Sequence, residues 1–508
     1  MNPIENTFAF LDDFCLQQRH QLKRRYFDHK VVPGSGYNDP RFRAAYTTIQ
    51  YVPEQDRYLM WANFVRVFAD LKGQSEHCLL ALAESQDGLH YQPAKGTIDG
   101  FAPVDNVVFA GLGSSIHGAT VLHDPRDPDP ARRFKCAASL DEPGRPMAFA
   151  PSVIAFSPDG SHWTVVPDKN VFHKLWSDAY NCLIWNPVLQ SYQVFCRATG
   201  TDRRIATVTS KDLLDWSTPR VILHPDGQDA PGTEFYSMPV FHHKGIFYGY
   251  LWLFETDDED PVAYKMAGRI HCELTYSYDG LSWNRTRHNP LPLNDYSGDG
   301  YGAFDNYLYN TILNREGDKW LTVASLCRYG HGDGLTPFPN GGNHLPLPKT
   351  STSDNIQRVI CEMTPGRLCG LEAIGLTGRM RTKNFLLAND GPLPSVNVAC
   401  PYGEIRVQLC DTRNHPVPGF TFDECVPFRG DTTSWTPQWQ KRTLDEARGH
   451  LCNLLVELYD GCIFGISGAM MPHHSCLPQY GYGDVRTAAM ELWGTMDRNP
   501  DYNALEMR

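Results

Sequence analysis

Ser277-Tyr278-Asp279-Gly280-Leu281-Ser282-Trp283 is a phrase that this chain writes four times. The other copies are Ser85-Gln86-Asp87-Gly88-Leu89-His90-Tyr91, Ser157-Pro158-Asp159-Gly160-Ser161-His162-Trp163 and Ser210-Lys211-Asp212-Leu213-Leu214-Asp215-Trp216. Successive serines lie 72, 53 and 67 residues apart. Each copy follows a strand-like run, such as Cys78-Leu79-Leu80-Ala81-Leu82-Ala83 or Ile205-Ala206-Thr207-Val208-Thr209. The phrase reads as a turn. Asp hydrogen-bonds the backbone two residues on, and Gly permits positive φ. The aromatic then packs between neighbouring sheets. A hairpin turn recurring once per four-stranded unit is what a β-propeller requires.

Working outward, residues 25–345 divide into five strand-rich units. The first holds strands over 46–51 and 57–61. The second runs from Asn106 to Trp163, the third from Asn181 to Trp216, and the fourth from Phe235 to Trp283. The fifth holds 306–312 and 320–324 and has no copy of the turn phrase. A stretch rich in Gly, Pro, Asn and Ser follows, over 330–355, and reads as a linker or rim loop. Strand patterns at 358–363, 403–409 and 451–458, with turns at Asn389-Asp390-Gly391 and Tyr459-Asp460-Gly461, predict a β-sandwich over 346–470. Residues 1–24 are a polar extension with a short helix expected. Residues 471–508 form a tail with one helix expected over 484–496. The expected fold is all-β: a five-bladed β-propeller followed by a C-terminal β-sandwich.

Composition narrows the function. The chain has 508 residues, 42 of them Gly and 37 Pro, which fits many tight turns. The net charge of -12 and the lack of a basic stripe argue against nucleic acid as a partner. No run of 18 apolar residues exists, so no membrane span is expected. Residues 1–25 lack a basic-then-apolar secretory pattern. The fifteen cysteines form no CxxC pair and no disulfide framework. Free, packed thiols and a cytoplasmic location are therefore expected. His242-His243 and His473-His474 have no third ligand at metal spacing, so neither a metal nor a cofactor is expected. Self-association into a homo-oligomer is left open.

The phrase spacing, the five units and the trailing sandwich together resemble the five-bladed propeller glycosidases of glycoside hydrolase families 32, 43, 62 and 68. The sandwich is most similar to family 32, the invertase and inulinase group. Asp105-Asn106-Val107-Val108-Phe109, the segment from His123-Asp124-Pro125 to Phe134-Lys135, and Ser157-Pro158-Asp159-Gly160 resemble a group of bacterial family-32-like proteins. The resemblance implies three carboxylates on adjacent blades, in Asn-Asp-Pro, Arg-Asp-Pro and Glu-Cys-Pro motifs. Trp176-Ser177-Asp178 corresponds to the second, with Ser for Arg and Ala for Pro. Glu234 in Thr233-Glu234-Phe235-Tyr236 corresponds to the third, with Phe-Tyr for Cys-Pro. For the first, Tyr37-Asn38-Asp39-Pro40 matches by letters, while Asp105 matches by blade adjacency.

Glycoside hydrolysis needs one carboxylic acid to protonate the leaving oxygen. A second carboxylate must attack the anomeric carbon or activate water. Asp105, Asp178, Glu234 and Asp305 each precede a predicted inner strand, so all four are expected at one end of the channel. Glu234 is the expected general acid and Asp105 the nucleophile or base, with Asp178 holding the sugar. Asn106, His117, Asn181, Arg204, Tyr236, Asp305 and Asn306 are the expected substrate-binding residues. Trp61, Trp176 and Trp252 join Tyr236 as candidates for stacking on a sugar face. The expected activity is a glycosidase cleaving a furanoside, either a β-fructofuranoside or an arabinofuranoside. The alternatives are a glycoside phosphorylase, for which Arg203 and Arg204 would help form a phosphate pocket, and a non-catalytic carbohydrate-binding propeller.

Overall fold

The computed structural model describes residues 6–39, 42–67, 79–101, 104–110, 116–140, 152–166, 177, 179–198, 202–256, 268–331 and 356–473. The chain divides into two compact units. One comprises Asp28–His242 with Phe247–Pro365, and the other Met1–Phe27, His243–Ile246 and Gly366–Arg508. Among the described residues there is no α-helix.

The first unit is a five-bladed β-propeller of antiparallel sheets. Blade 1 is Phe42–Val52, Arg57–Val67, Leu80–Ser85 and Gln92–Pro93. Blade 2 is Ile116–His123, Phe134–Leu140, Ser152–Ser157 and Thr164–Val165. Blade 3 is Cys182–Asn186, Ser191–Ala198, Arg204–Ser210 and Arg220–Leu223. Blade 4 is Thr233–Ser237, Ile246–Thr256, Gly268–Ser277 and Asn284–Arg285, with Val240–His243 as an extra pairing. The middle strands are buried on both faces, because each blade stacks on its neighbours. Ile246–Phe254 is an unbroken buried run of this kind.

Blade 5 is Asn306–Leu313, Trp320–Cys327 and Ile356–Met363, completed by Lys30–Val31 from the start of the chain. Lys30 and Val31 pair with Glu362 and Cys361. This explains the missing turn phrase. In blades 1 to 4 the phrase joins the third strand to the fourth. In blade 5 the fourth strand arrives from the other end of the chain, so there is no such hairpin. The run at 358–363, expected in the sandwich, is the third strand of this blade.

The turn phrase works as its chemistry suggests. Asp159 Oδ1 accepts the amides of Ser161 at 2.8 Å and His162 at 2.9 Å, and Ser157 Oγ accepts the amide of Gly160. In the third copy Leu213 takes the glycine's place at a φ of 68°. Each turn also leans on the preceding blade. Gly160 O accepts the indole of Trp61, Gly280 O accepts Gln193, and Asp212 O accepts Arg132. A Cβ on Gly88 would meet Leu321 of blade 5, which closes the ring of contacts.

In the second unit the expected sandwich is one nine-stranded antiparallel sheet. Its long strands Cys369–Thr382, Ser395–Cys410 and Leu451–Gly468 change register between Ala373 and Thr377 and between Ala399 and Glu404. Strands that bend at such bulges let one sheet fold across itself. One core accordingly gathers Leu371, Val396 and Ile466 from one side of the bulges and Met380, Val407 and Val456 from the other. The N-terminal segment is not helical over its described part. Asn6–Ala9, Leu16–His20 and Lys23–Tyr26 are strands of this sheet. Most of the tail, including the helix expected over 484–496, lies outside the described residues, as does most of the 330–355 linker.

Candidate active site

The inner strands of a propeller all begin at one end of the channel, and Glu234 is the second residue of the blade 4 inner strand. The Glu234 side chain is 5% exposed and bonds Arg203 Nη1 through Oε2. No other described residue bonds it, so among the described residues Oε1 has no hydrogen-bond partner. Arg203 leads into the third strand of blade 3. Its carbonyl accepts the amide of Phe235 at 3.0 Å, which fixes the two backbones together. Its guanidinium lies 5.5 Å from the ring centre of Tyr236 and 5.1 Å from that of Phe254. The guanidinium of Arg197, on the second strand of blade 3, lies 5.2 Å from the ring centre of Tyr236. The Tyr236 hydroxyl meets His331 Nε2 at 3.1 Å. Glu234, Arg203, Arg197, Tyr236, Phe254 and His331 therefore form one group drawn from blades 3, 4 and 5.

A stack of aromatic rings underlies this group. Tyr236 stacks on Trp252, and Trp252 stacks on Tyr46 of the blade 1 inner strand at 6.3 Å and 7°. Tyr180, Tyr307 and Tyr309 pack against the same indole. Each such contact contributes about 0.5–1.5 kcal/mol beyond area burial, so the stack is a stiff floor. Burial pushes the phenols of Tyr307 and Tyr180 upward, which keeps them neutral. Trp252 is fully buried and donates to Leu308 O, and Trp61 is buried and donates to Gly160 O. Both are packing residues, and of the proposed sugar-stacking rings only Tyr236 stays half-exposed. Trp176 lies outside the described residues.

Asp305 immediately precedes the blade 5 inner strand, as expected, and is 1% exposed. Its Oδ1 accepts the Ile270 amide at 2.8 Å and its Oδ2 the Tyr307 hydroxyl at 3.2 Å. These bonds make it a tie between blades 4 and 5. Asn106, Asn181 and Asn306 are fully buried, and each spends its amide on local carbonyls: Leu82 O, Ser177 O, and both Pro292 O and Gly302 O. His117 is buried on the blade 2 inner strand. Arg204 is exposed and held by Asp202 at 2.8 and 2.9 Å. Neighbours on a strand face opposite ways. Arg203, not Arg204, is the one turned toward Glu234.

The expected position of Asp105 needs correction. Val107–Phe109 pairs with Leu80–Ala81, beside Gln92–Pro93, on the outer edge of blade 1. It does not open blade 2, whose inner strand is Ile116–His123. Asp105 is exposed on that edge rather than at the start of an inner strand. Asp39 is three residues from the blade 1 inner strand and half-buried. Tyr37 donates to Asp39 Oδ2 at 2.9 Å and accepts from Asn106 at 3.2 Å. The preceding loop is fixed to blade 5, where Asn38 and Arg358 exchange hydrogen bonds of 2.8 and 2.7 Å. Burial brings the Arg358 guanidinium down to about 10, against the opposing effects of Tyr309, Tyr37 and Asp39. Asp178 lies outside the described residues. Among the described residues, no three His, Cys, Asp or Glu side chains are grouped so as to hold a metal.

Arg197, Arg203, Phe254 and His331 are the members of the group that the sequence-based site leaves out. Arg203 is visible only as half of an Arg-Arg pair, and nothing in the sequence marks the other three. No known family profile matches the sequence, and no curated protein matches it. Solved structures do. An N-acetylgalactosamine deacetylase from F. plautii in complex with blood group B trisaccharide is similar at 16% identity, over 69% of this chain and 97% of that one, with a TM-score of 0.43. The endo-arabinase from Bacteroides thetaiotaomicron is similar at 12% identity, over 67% and 98%, with a TM-score of 0.37. A structure from the GH130 family of mannoside phosphorylases, which contains glycoside hydrolases that target β-1,2 mannosidic linkages, is similar at 13% identity, over 67% and 95%, with a TM-score of 0.38.

Proposed function

We propose that the propeller is a glycoside hydrolase and that Glu234 is its proton donor. The observation that carries this reading is a nearly buried carboxylate at the start of an inner strand. One of its oxygens is held by a guanidinium, and the other has no hydrogen-bond partner among the described residues. Glu234 protonates the leaving oxygen as the glycosidic bond breaks. Tyr236 supplies a ring against which a sugar face rests. Asp178 holds sugar hydroxyls and steadies positive charge in the transition state, a role that rests on its motif alone. The first carboxylate, nucleophile or base, is Asp39 in this reading. The edge position of Asp105 counts against it, and the approach of Asp39 to an inner strand counts in favour. The furanoside preference, and the closer likeness to family 32, rest on the sequence segments quoted above.

The test is a panel of nitrophenyl furanosides and pyranosides, with and without phosphate, on wild type and single variants. Glu234→Gln should lose activity severely on natural glycosides and mildly on nitrophenyl leaving groups, which need little protonation. Asp39→Asn should abolish both, while Asp105→Asn stays active. Wild-type rates for folded Glu234→Gln on a natural glycoside would sink the acid assignment. Turnover that depends on phosphate would replace hydrolysis with phosphorolysis.

A further inference from the structure

We infer that Arg203 is a positioning residue for Glu234. It grips Oε2 and turns Oε1 toward the substrate. The inference rests on the acid role proposed above. Three observations carry it. First, Arg203 is the only hydrogen-bond partner of Glu234 among the described residues. Second, Arg203 is 7% exposed and sandwiched against Tyr236 and Phe254, so its guanidinium is itself held in place. Third, the amide of Phe235, one residue after Glu234, donates to the carbonyl of Arg203 itself, so the two side chains leave backbones already tied together.

The chemistry follows from the geometry. Oε2 is engaged with a donor, so the proton to be given sits on Oε1. It passes to the glycosidic oxygen as the C–O bond breaks, leaving Glu234 ionised and again matched to Arg203. Among the described residues, the other charged or titratable groups near Glu234 are Arg197 from blade 3, Tyr236 on the same strand, the exposed Glu255 on the adjoining strand, and His331, which meets the Tyr236 hydroxyl. None of these replaces Arg203 at Oε2.

The experiment compares Arg203→Gln and Arg203→Lys with Glu234→Gln and wild type on an unactivated glycoside identified in the panel. The readouts are kcat, KM and thermal unfolding. Misplacing a reacting group by about 1 Å costs on the order of 10²-fold, so Arg203→Gln should lose kcat on that scale with KM little changed. Arg203→Lys keeps the charge without the fork and should recover only part of the lost kcat. It also serves as the test if Arg203→Gln does not fold. Suppose Glu234→Gln is inactive but both Arg203 variants keep the wild-type kcat and KM. Arg203 is then structural and this inference fails alone. If Glu234→Gln keeps wild-type rates, or the wild type cleaves no glycoside, the acid role and this inference fall together.

Discussion

Lys135→Met should be among the most damaging single substitutions in the propeller. Lys135 closes the His123–Lys135 segment and is fully buried. Its ammonium lies 3.3 Å from Asp124 and 3.0 Å from Asp127, and donates to Arg132 O at 2.6 Å. Asp124 is equally buried and also accepts Tyr192 OH at 2.6 Å and Arg126 Nε at 2.8 Å. Methionine preserves the stem but strands Asp124 with less compensation. Breaking a buried pair this way costs about 3–5 kcal/mol. Burial pushes the Asp124 carboxyl up, but the Tyr192 hydrogen bond and the charges of Lys135 and Arg126 outweigh it and hold the group below its ordinary 3.8. A depressed carboxylate contributes stability above its unfolded value and loses it as pH falls through the folded one. The gap between Lys135→Met and wild type in urea unfolding should therefore be full at pH 7 and shrink as the pH drops below that value. Adding Asp124→Asn should recover part of the loss, because a neutral amide leaves no stranded charge. A loss under about 1 kcal/mol at pH 7 would refute the reasoning.

Gly118→Ala should destabilise the seam between blades 2 and 3. The residue sits at a φ of 59°, and a Cβ would come within 1.8 Å of Ala179 O. Left-handed strain alone costs about 1–2 kcal/mol, and the backbone collision adds to it, so an unchanged melting temperature would contradict the seam. The thirteen cysteines among the described residues are buried and outside any disulfide, and burial raises several thiols, Cys182 to about 12. Native protein should react slowly with a thiol reagent. After denaturation without reductant all fifteen thiols should titrate, and a shortfall that reductant restores would reveal disulfides.

Propeller periodicity is local, so it could be read from the chain. A Ser-x-Asp-Gly turn makes its hydrogen bonds within six residues, and four copies mark four hairpins without any knowledge of the fold. Glu234 and Asp305 were likewise placed at inner-strand starts by the strand pattern that follows them. The blade boundaries were not local. The run 107–109 looks the same whether it opens blade 2 or edges blade 1. Its pairing with Leu80–Ala81 moved Asp105 away from the inner-strand starts.

The amino-acid sequence by itself determined the all-β class, the repeat and its turns, because these depend on neighbours along the chain. The tertiary structure alone decided three things. It brought Lys30–Val31 to the outer edge of blade 5, across more than three hundred residues. It built the expected C-terminal β domain from one long sheet folded across itself. It turned Arg203 rather than Arg204 toward Glu234. Each depends on which strand edge meets which, and that is fixed by long-range hydrogen bonding and burial, for which adjacent letters carry no record.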